Sequence, residues 1–338
     1  MNEEYTLEFL RLKPDCSVNE LCKSILANAP YVSDYPVYGK QNSDILKFTN
    51  RRTRNRQYHQ FEIPKKSGGA RKIIAPKGDL KDIQRTLALL LSFAVAPDSH
   101  AHGFICERSV ITNASMHLGK NYVLNLDLKN FFPSITFHQV ERALRKYFSK
   151  EISAFIAKIC TWTDENNSHE DVLPQGASTS PILSNIVCEV LDERLGELAK
   201  SYGLTYSRYA DDLTFSSNHS IYSKDSSFWL KLSSIITECG FQINESKTRL
   251  LKKGTRQEVT GITVGERLNV SRKWMKQLRA QVFHYEMYGG SNEEYRSIMG
   301  KIAFLKMVRG SMDERAYKLC NRARHSHHGI PMMEQHWY

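Results

Sequence analysis

No 18 consecutive residues are apolar in this 338-residue chain, and Ser92 interrupts the longest apolar stretch, around residues 87–96, so no membrane-spanning helix is expected. The seven cysteines are odd in number and include no CxxC pair. Neither a disulfide framework nor a zinc ribbon is therefore expected, and the thiols read as reduced. The opening MNEEYTLEFL carries acids where a secretory leader would carry bases, which points to a cytoplasmic protein. Internal repeats and low-complexity tracts are also missing. Wholesale disorder is excluded by 41% hydrophobic and 10% aromatic residues.

What is abundant is positive charge. Lys and Arg total 47 against 36 Asp and Glu, a net +11. The excess is uneven. Residues 47–77 carry ten bases against the single acid Glu62, and residues 247–338 carry 18 bases against 8 acids, leaving −8 for the rest of the chain, most of it between them. Two basic regions around an acidic centre suit a polyanion such as a nucleic-acid backbone, although a solvated basic face would read the same way.

Helix signals recur along the chain. Ser17-x-x-Glu20 is a capping box, a periodic stretch runs from Asp79 to near Pro97, and Thr136-x-x-Gln139 opens a helix expected to reach Phe148. Ser180-Pro181 starts one expected to run to Gly203, and another spans residues 226–238. Three more are expected from Ser271, Ser291 and Ser311, the first two burying Trp274, Leu278, Val282 and Tyr285, and Tyr295, Ile298, Ile302 and Leu305. Strand-like runs occupy residues 122–127, 204–209, 213–217 and 241–251. The fold class is α+β: a mixed body with a small antiparallel sheet, then a helical C-terminal unit.

Acids stand where a folded protein rarely places them. Asp127 ends the apolar run Val123-Leu-Asn-Leu-Asp127, and Asp211-Asp212 fall between two strand-like runs, as at a hairpin tip. Adjacent aspartates repel, and a cation relieves them. A strand-end carboxylate beside a hairpin pair makes an oxygen-rich site for Mg²⁺, and two such ions serve phosphoryl transfer. An exposed turn would carry Asp-Asp equally well.

The surrounding motifs favour the first reading. Tyr209-Ala-Asp-Asp212 resembles the YxDD motif of reverse transcriptases, and Leu126-Asp127-x-x-x-Phe131-Phe132 resembles their first metal-binding motif. Pro174-Gln175-Gly176-Ala-Ser178 resembles their PQG element, and Gly240-Phe241-x-Ile243-x-x-x-Lys247 their lysine strand. All four fall in the family's order, over roughly residues 71–264. Asn113-Ala-x-x-His117 and Val259-Thr260-Gly261, with Gly103-Phe104 and Arg108-Ser109, further resemble the retron group.

The resemblance implies a right-hand polymerase with a helical and basic extension over residues 1–60. Fingers and palm would occupy 61–265, and an RNA-binding helical thumb 266–338. It implies an RNA-directed DNA polymerase using two Mg²⁺ held by Asp127, Asp211, Asp212 and the Leu128 carbonyl. Arg71 and Lys72 would grip the triphosphate, Phe132 would gate the sugar, Gln175 and Gly176 would lie against the nascent pair, and Lys247 would meet pyrophosphate. Asn113, His117, Val259, Thr260 and Gly261 are group signatures or RNA contacts by the same resemblance. The implied partners are deoxynucleotides, a dedicated structured non-coding RNA copied into branched DNA from a 2′-OH, and a separate effector in antiphage defence. A maturase-like enzyme, a polymerase making untemplated DNA, and an RNA-binding scaffold restraining a toxin are the alternatives. The tract from Arg51 to His59, which interleaves bases with aromatics, is expected to face RNA. For the C-terminal His and Cys residues a basic RNA-facing tail is preferred over zinc.

Overall fold

The computed structural model describes residues 12–32, 40–65, 68–163, 170–220, 223 and 226–327. Its strands are β1 (Tyr58–Pro64), β2 (Ala70–Pro76), β3 (Tyr122–Asp127), β4 (Trp162–Thr163), β5 (Asp171–Val172), β6 (Thr205–Tyr209), β7 (Asp212–Ser217), β8 (Arg249–Lys252), β9 (Glu258–Val259) and β10 (Ile262–Thr263).

The central sheet is antiparallel in the order β6-β7-β3-β8. Alternation along β3 serves two cores. Leu124 and Leu126 join the large cluster built on the helices Gly78–Ala94, Lys150–Cys160 and Glu189–Ser201. Val123 points the other way, into a second cluster with Ala114, Val259, Ile262 and the C-terminal helices. A strand covered on both faces must be largely apolar, and the one polar side chain inside β3, Asn125, donates to the Glu258 carbonyl at 2.7 Å and accepts from Thr214 at 3.1 Å. The polar group it carries to its very end, Asp127, therefore stands at the rim of a dry layer.

The C-terminal unit is three helices, Arg272–Tyr288, Asn292–Arg309 and Glu314–His327. The first two bury the expected Leu278, Val282, Tyr285, Ile298, Ile302 and Leu305, while Trp274 and Tyr295 are only half-buried at the edge. No helix among the described residues is long and apolar enough to cross a membrane.

Four local expectations change. The helix opened at Thr136 ends at Leu144 rather than Phe148, and the chain turns over residues 145–148. The stretch from Ser180 is two helices, Ser180–Val187 and Glu189–Ser201, divided by a flattened turn at Cys188. The run at 241–251 is a strand only over Arg249–Lys252, because Asn244 donates its backbone N–H to the Asp127 carbonyl and the chain bends there into a single turn at Glu245–Lys247. The last helix begins at Glu314, and Asp313 rather than Ser311 accepts the Ala316 N–H at 2.9 Å.

Candidate active site

Hairpin β6–β7 pairs Tyr209 with Asp212, leaving Ala210 and Asp211 as its turn. Ala210 takes φ +56°, a left-handed conformation that turns of this kind need and that a non-glycine residue adopts at a cost. Sheet register sets Asp212 directly opposite Asp127, and the Leu128 N–H donates to the Asp211 carbonyl at 3.0 Å. Backbone pairing thus gathers Asp127, Asp211 and Asp212 at one end of the sheet.

Their electrostatics follow from that crowding. Burial pushes the Asp212 carboxyl up to about 7, with the charges of Asp211 and Asp127 adding to it and Lys247 opposing. Burial also raises Asp211, reinforced by Asp127 and opposed by Lys247 and Arg71. Asp127 receives the Lys247 ammonium at 2.8 and 3.0 Å and the Asn244 side-chain amide at 3.0 Å. Three carboxylates around one ammonium hold a surplus of negative charge, and their oxygens and the Leu128 carbonyl are donors of the kind Mg²⁺ takes. As placed here, with Lys247 seated on Asp127, no three His, Cys, Asp or Glu side chains among the described residues are grouped closely enough to hold a metal ion.

The remaining motif residues lie on the neighbouring elements. Phe132 is half-buried, its ring 5.3 Å from that of Phe131, which is itself a core residue stacked on Phe241. Arg71 and Lys72 are exposed on β2, opposite Ile63 and Glu62. Lys72 lies over the Trp162 ring at 5.4 Å. The Gln175 carbonyl accepts from the Ile74 N–H at 2.8 Å, which ties the PQG loop to the β1–β2 hairpin. Gly176 has φ +131°, and a Cβ there would stand 2.8 Å from Ile73 Cγ2, so no larger residue fits.

The two short group signatures meet each other. Asn113 donates to the Thr260 hydroxyl at 3.4 Å and accepts from Ser207 at 2.6 Å. His117 bridges Ser207 and Ser216 at 2.8 and 2.7 Å, and burial depresses its pKa to about 3. Asn113, His117 and Val259 are buried, so an RNA contact from this group is open only to Thr260 and Gly261. Those two line a cleft of about 350 Å³ that also reaches Asp127, Asp212 and Lys247.

Two expectations for the tract assigned to RNA are corrected, since Tyr58 is a core residue whose hydroxyl accepts from Gln84 at 2.9 Å and Arg54 is buried as well. Arg54, in the tract assigned to RNA, is 1% exposed and donates to Asp171 at 2.8 Å, joining the helix Arg51–Asn55 to β5; Arg51, Arg52 and Arg56 remain exposed. The C-terminal histidines 325 and 327 lie on the last helix, His327 stacked on Tyr295; His328 lies outside the described residues.

Sequence reasoning passed over three supports. Asn244 sits inside the lysine motif as an unassigned position. Arg208 immediately precedes Tyr209 and is fully buried, gripping Asp192 and donating to the Ala210 carbonyl at 3.2 Å. Asn185 accepts from Arg208 at 3.1 Å and donates to the Gly103 carbonyl at 2.9 Å. A charged residue inside an otherwise β-prone run was the available signal for Arg208.

An antiparallel sheet that ends in three carboxylates, with a glycine loop tied to a basic hairpin, is the palm and fingers of a right-hand nucleic-acid polymerase. Residues 63–264 match the family model described as reverse transcriptase (RNA-dependent DNA polymerase). The retron Mx65 reverse transcriptase of Myxococcus xanthus is 39% identical over 78% of this chain and 64% of its own length. The retron Mx162 reverse transcriptase of the same organism is 34% identical, over 74% of this chain and 58% of its own. The retron Ec86 reverse transcriptase of Escherichia coli is 32% identical over 75% of this chain and 77% of its own. The chain belongs to the reverse transcriptase family, as a retron-type member. It spans less than two thirds of the two Myxococcus relatives.

Proposed function

We propose that this protein is an RNA-directed DNA polymerase that copies part of a structured non-coding RNA into DNA. The observation that carries the reading is the register of β3, β6 and β7, which sets Asp127 opposite Asp212 and ties Leu128 to Asp211. In this reading residues 61–265 act as fingers and palm and 266–338 as a thumb holding RNA.

Asp127, Asp211 and Asp212, with the Leu128 carbonyl, would hold Mg²⁺, and the ions when bound would supply neutralisation of the attacking and departing oxygens. The chain's own groups do the rest. Arg71 clamps phosphate oxygens with a planar fork, and Lys72 adds a point charge. Lys247, already on Asp127, meets the departing pyrophosphate as the carboxylate changes partner. Phe132 stands against the sugar and excludes a 2′-hydroxyl. Gly176 lets the backbone approach the nascent pair.

The finer reading is retron-specific: priming from a 2′-OH to give a branched RNA–DNA hybrid, in antiphage defence with a separate effector protein. Purified protein with its RNA, deoxynucleotides and Mg²⁺ should yield DNA attached to RNA, and a debranching enzyme should release it. Asp127→Ala and Asp211→Ala should abolish synthesis while RNA retention on a filter persists. Near-normal extension by either variant would refute the site, and linear unbranched DNA would refute the retron chemistry.

A further inference from the structure

Phe104 is a large aromatic residue that is 46% exposed and takes φ +63°. A non-glycine residue in the left-handed region persists only where its surroundings impose it, and such outliers gather at functional sites. Here the surroundings are explicit. The His102 N–H donates to the Arg208 carbonyl at 2.7 Å, and the Arg208 N–H donates to the His100 carbonyl at 2.8 Å, so residues 100–102 run along β6 as a parallel neighbour. Gly103 comes next, packed so tightly that a Cβ would stand 2.7 Å from the Ala210 nitrogen. Its carbonyl is held by Asn185, and the Arg108 guanidinium donates to the carbonyls of Asp98 and Ala101, closing the loop.

The result is a ring registered to the Tyr209–Asp212 hairpin. Phe104 lies 6.2 Å from Phe132 and 6.4 Å from Tyr209, centroid to centroid. Burying Phe104 in the fold would be the ordinary use of such a side chain. The loop instead spends an unfavourable backbone conformation to hold it half in solvent, facing two other half-buried rings beside the carboxylates.

We infer that Phe104 lines the sugar pocket of the incoming deoxynucleotide together with Phe132 and Tyr209, and that it is a specificity-determining residue of this site. The inference rests on the polymerase reading above. Phe104 and Phe132, tilted 40° to each other and in contact, make one apolar wall for the face of a deoxyribose, and the place of that wall sets how much room remains for a 2′-hydroxyl. Losing part of the wall loosens nucleotide binding and sugar choice together, without touching the carboxylates.

Single-nucleotide extension by the full chain on its RNA, with deoxy- and ribonucleotides, tests this. Phe104→Ala should raise KM for the deoxynucleotide about tenfold, the size of one lost aromatic contact, and leave kcat within about threefold. Discrimination against ribonucleotides should fall as well. Phe104→Gly removes the ring and relieves the left-handed backbone, so its unfolding midpoint should equal or exceed wild type while its kinetics match Phe104→Ala. Unchanged KM and sugar discrimination in both variants would overturn the inference. So would a lowered midpoint in Phe104→Gly, which would make the ring a fold residue, or a shift in primer KM alone. A wild-type protein that makes no DNA would instead refute the polymerase reading, and this inference with it.

Discussion

Asp192→Ala is the substitution whose cost can be worked most fully. Arg208 and Asp192 are both 0% exposed. Arg208 Nε donates to the two Asp192 oxygens at 2.8 and 3.0 Å, and Nη2 donates at 2.6 Å. The Tyr206 hydroxyl donates to the same carboxylate at 2.8 Å. Burial works against the guanidinium charge, and Asp192 more than offsets it, holding the Arg208 pKa above its ordinary value. With Asp192 gone the charge stays buried without a counter-ion, since arginine does not give up its proton. Removing one member of such a pair costs about 3–5 kcal/mol. The orphaned Tyr206 hydroxyl adds about 1 kcal/mol or more. Against a total near 5–15 kcal/mol that is roughly a quarter or more of the stability. In urea, at a slope of about 3 kcal/mol/M, the unfolding midpoint should fall by roughly 1 M or more. A loss under about 1 kcal/mol would refute the reasoning, because the charge would then have found another partner. Asp192→Leu combined with Arg208→Leu should recover most of the stability. Yet it leaves the Ala210 carbonyl unheld, so DNA synthesis should stay low; full synthesis by the double variant would remove Arg208 as a positioning residue for the hairpin.

Phe132→Ala should raise ribonucleotide incorporation in the extension assay, and unchanged sugar choice would take the gate away from this ring. His117 is held neutral by burial, its pKa depressed to about 3 from an ordinary 6.5. The unfolded chain therefore binds a proton that the folded one refuses, and stability should fall as pH drops from 6.5 towards 3, by about 1.4 kcal/mol per unit. His117→Gln should flatten that decline in denaturant titrations, and an unchanged slope would show that His117 takes up its proton while folded. Arg52→Gln with Arg56→Gln should reduce the salt dependence of RNA binding by roughly one unit of slope per cation. Arg54→Gln should instead lower the unfolding midpoint, since its guanidinium pairs with Asp171 inside the fold. If Arg54→Gln melts like wild type and binds RNA more weakly, the burial argument fails for that residue.

Much of this site was legible because its chemistry is written in short local strings. Asp127 at the end of an apolar run and Asp211-Asp212 between two β-prone runs already implied a strand end and a hairpin tip, since period and turn position depend on near neighbours alone. The capping signals at Ser17, Thr136 and Ser291 and the helix starts at residues 226 and 271 came true for the same reason: a cap is settled within four residues. Ser311 lost its helix to Asp313, one competing cap two residues on.

What the sequence determined by itself, then, was the order of the central strands and of most of the long helices, the position of each carboxylate on its element and the kinship those motifs carry. What only the tertiary structure decided was which residues meet. Asn113 and Thr260 are 147 positions apart, and their contact depends on the β9–β10 turn docking on the helix Val110–Ser115. Arg54 reads as a phosphate contact until Asp171, 117 positions away, pairs with it in the interior. Phe104 reads as half of a two-residue signature until β6 carries the Tyr209–Asp212 turn past it. Long-range burial chooses partners that no local pattern encodes, because desolvation and pairing energies depend on what the folded chain brings alongside.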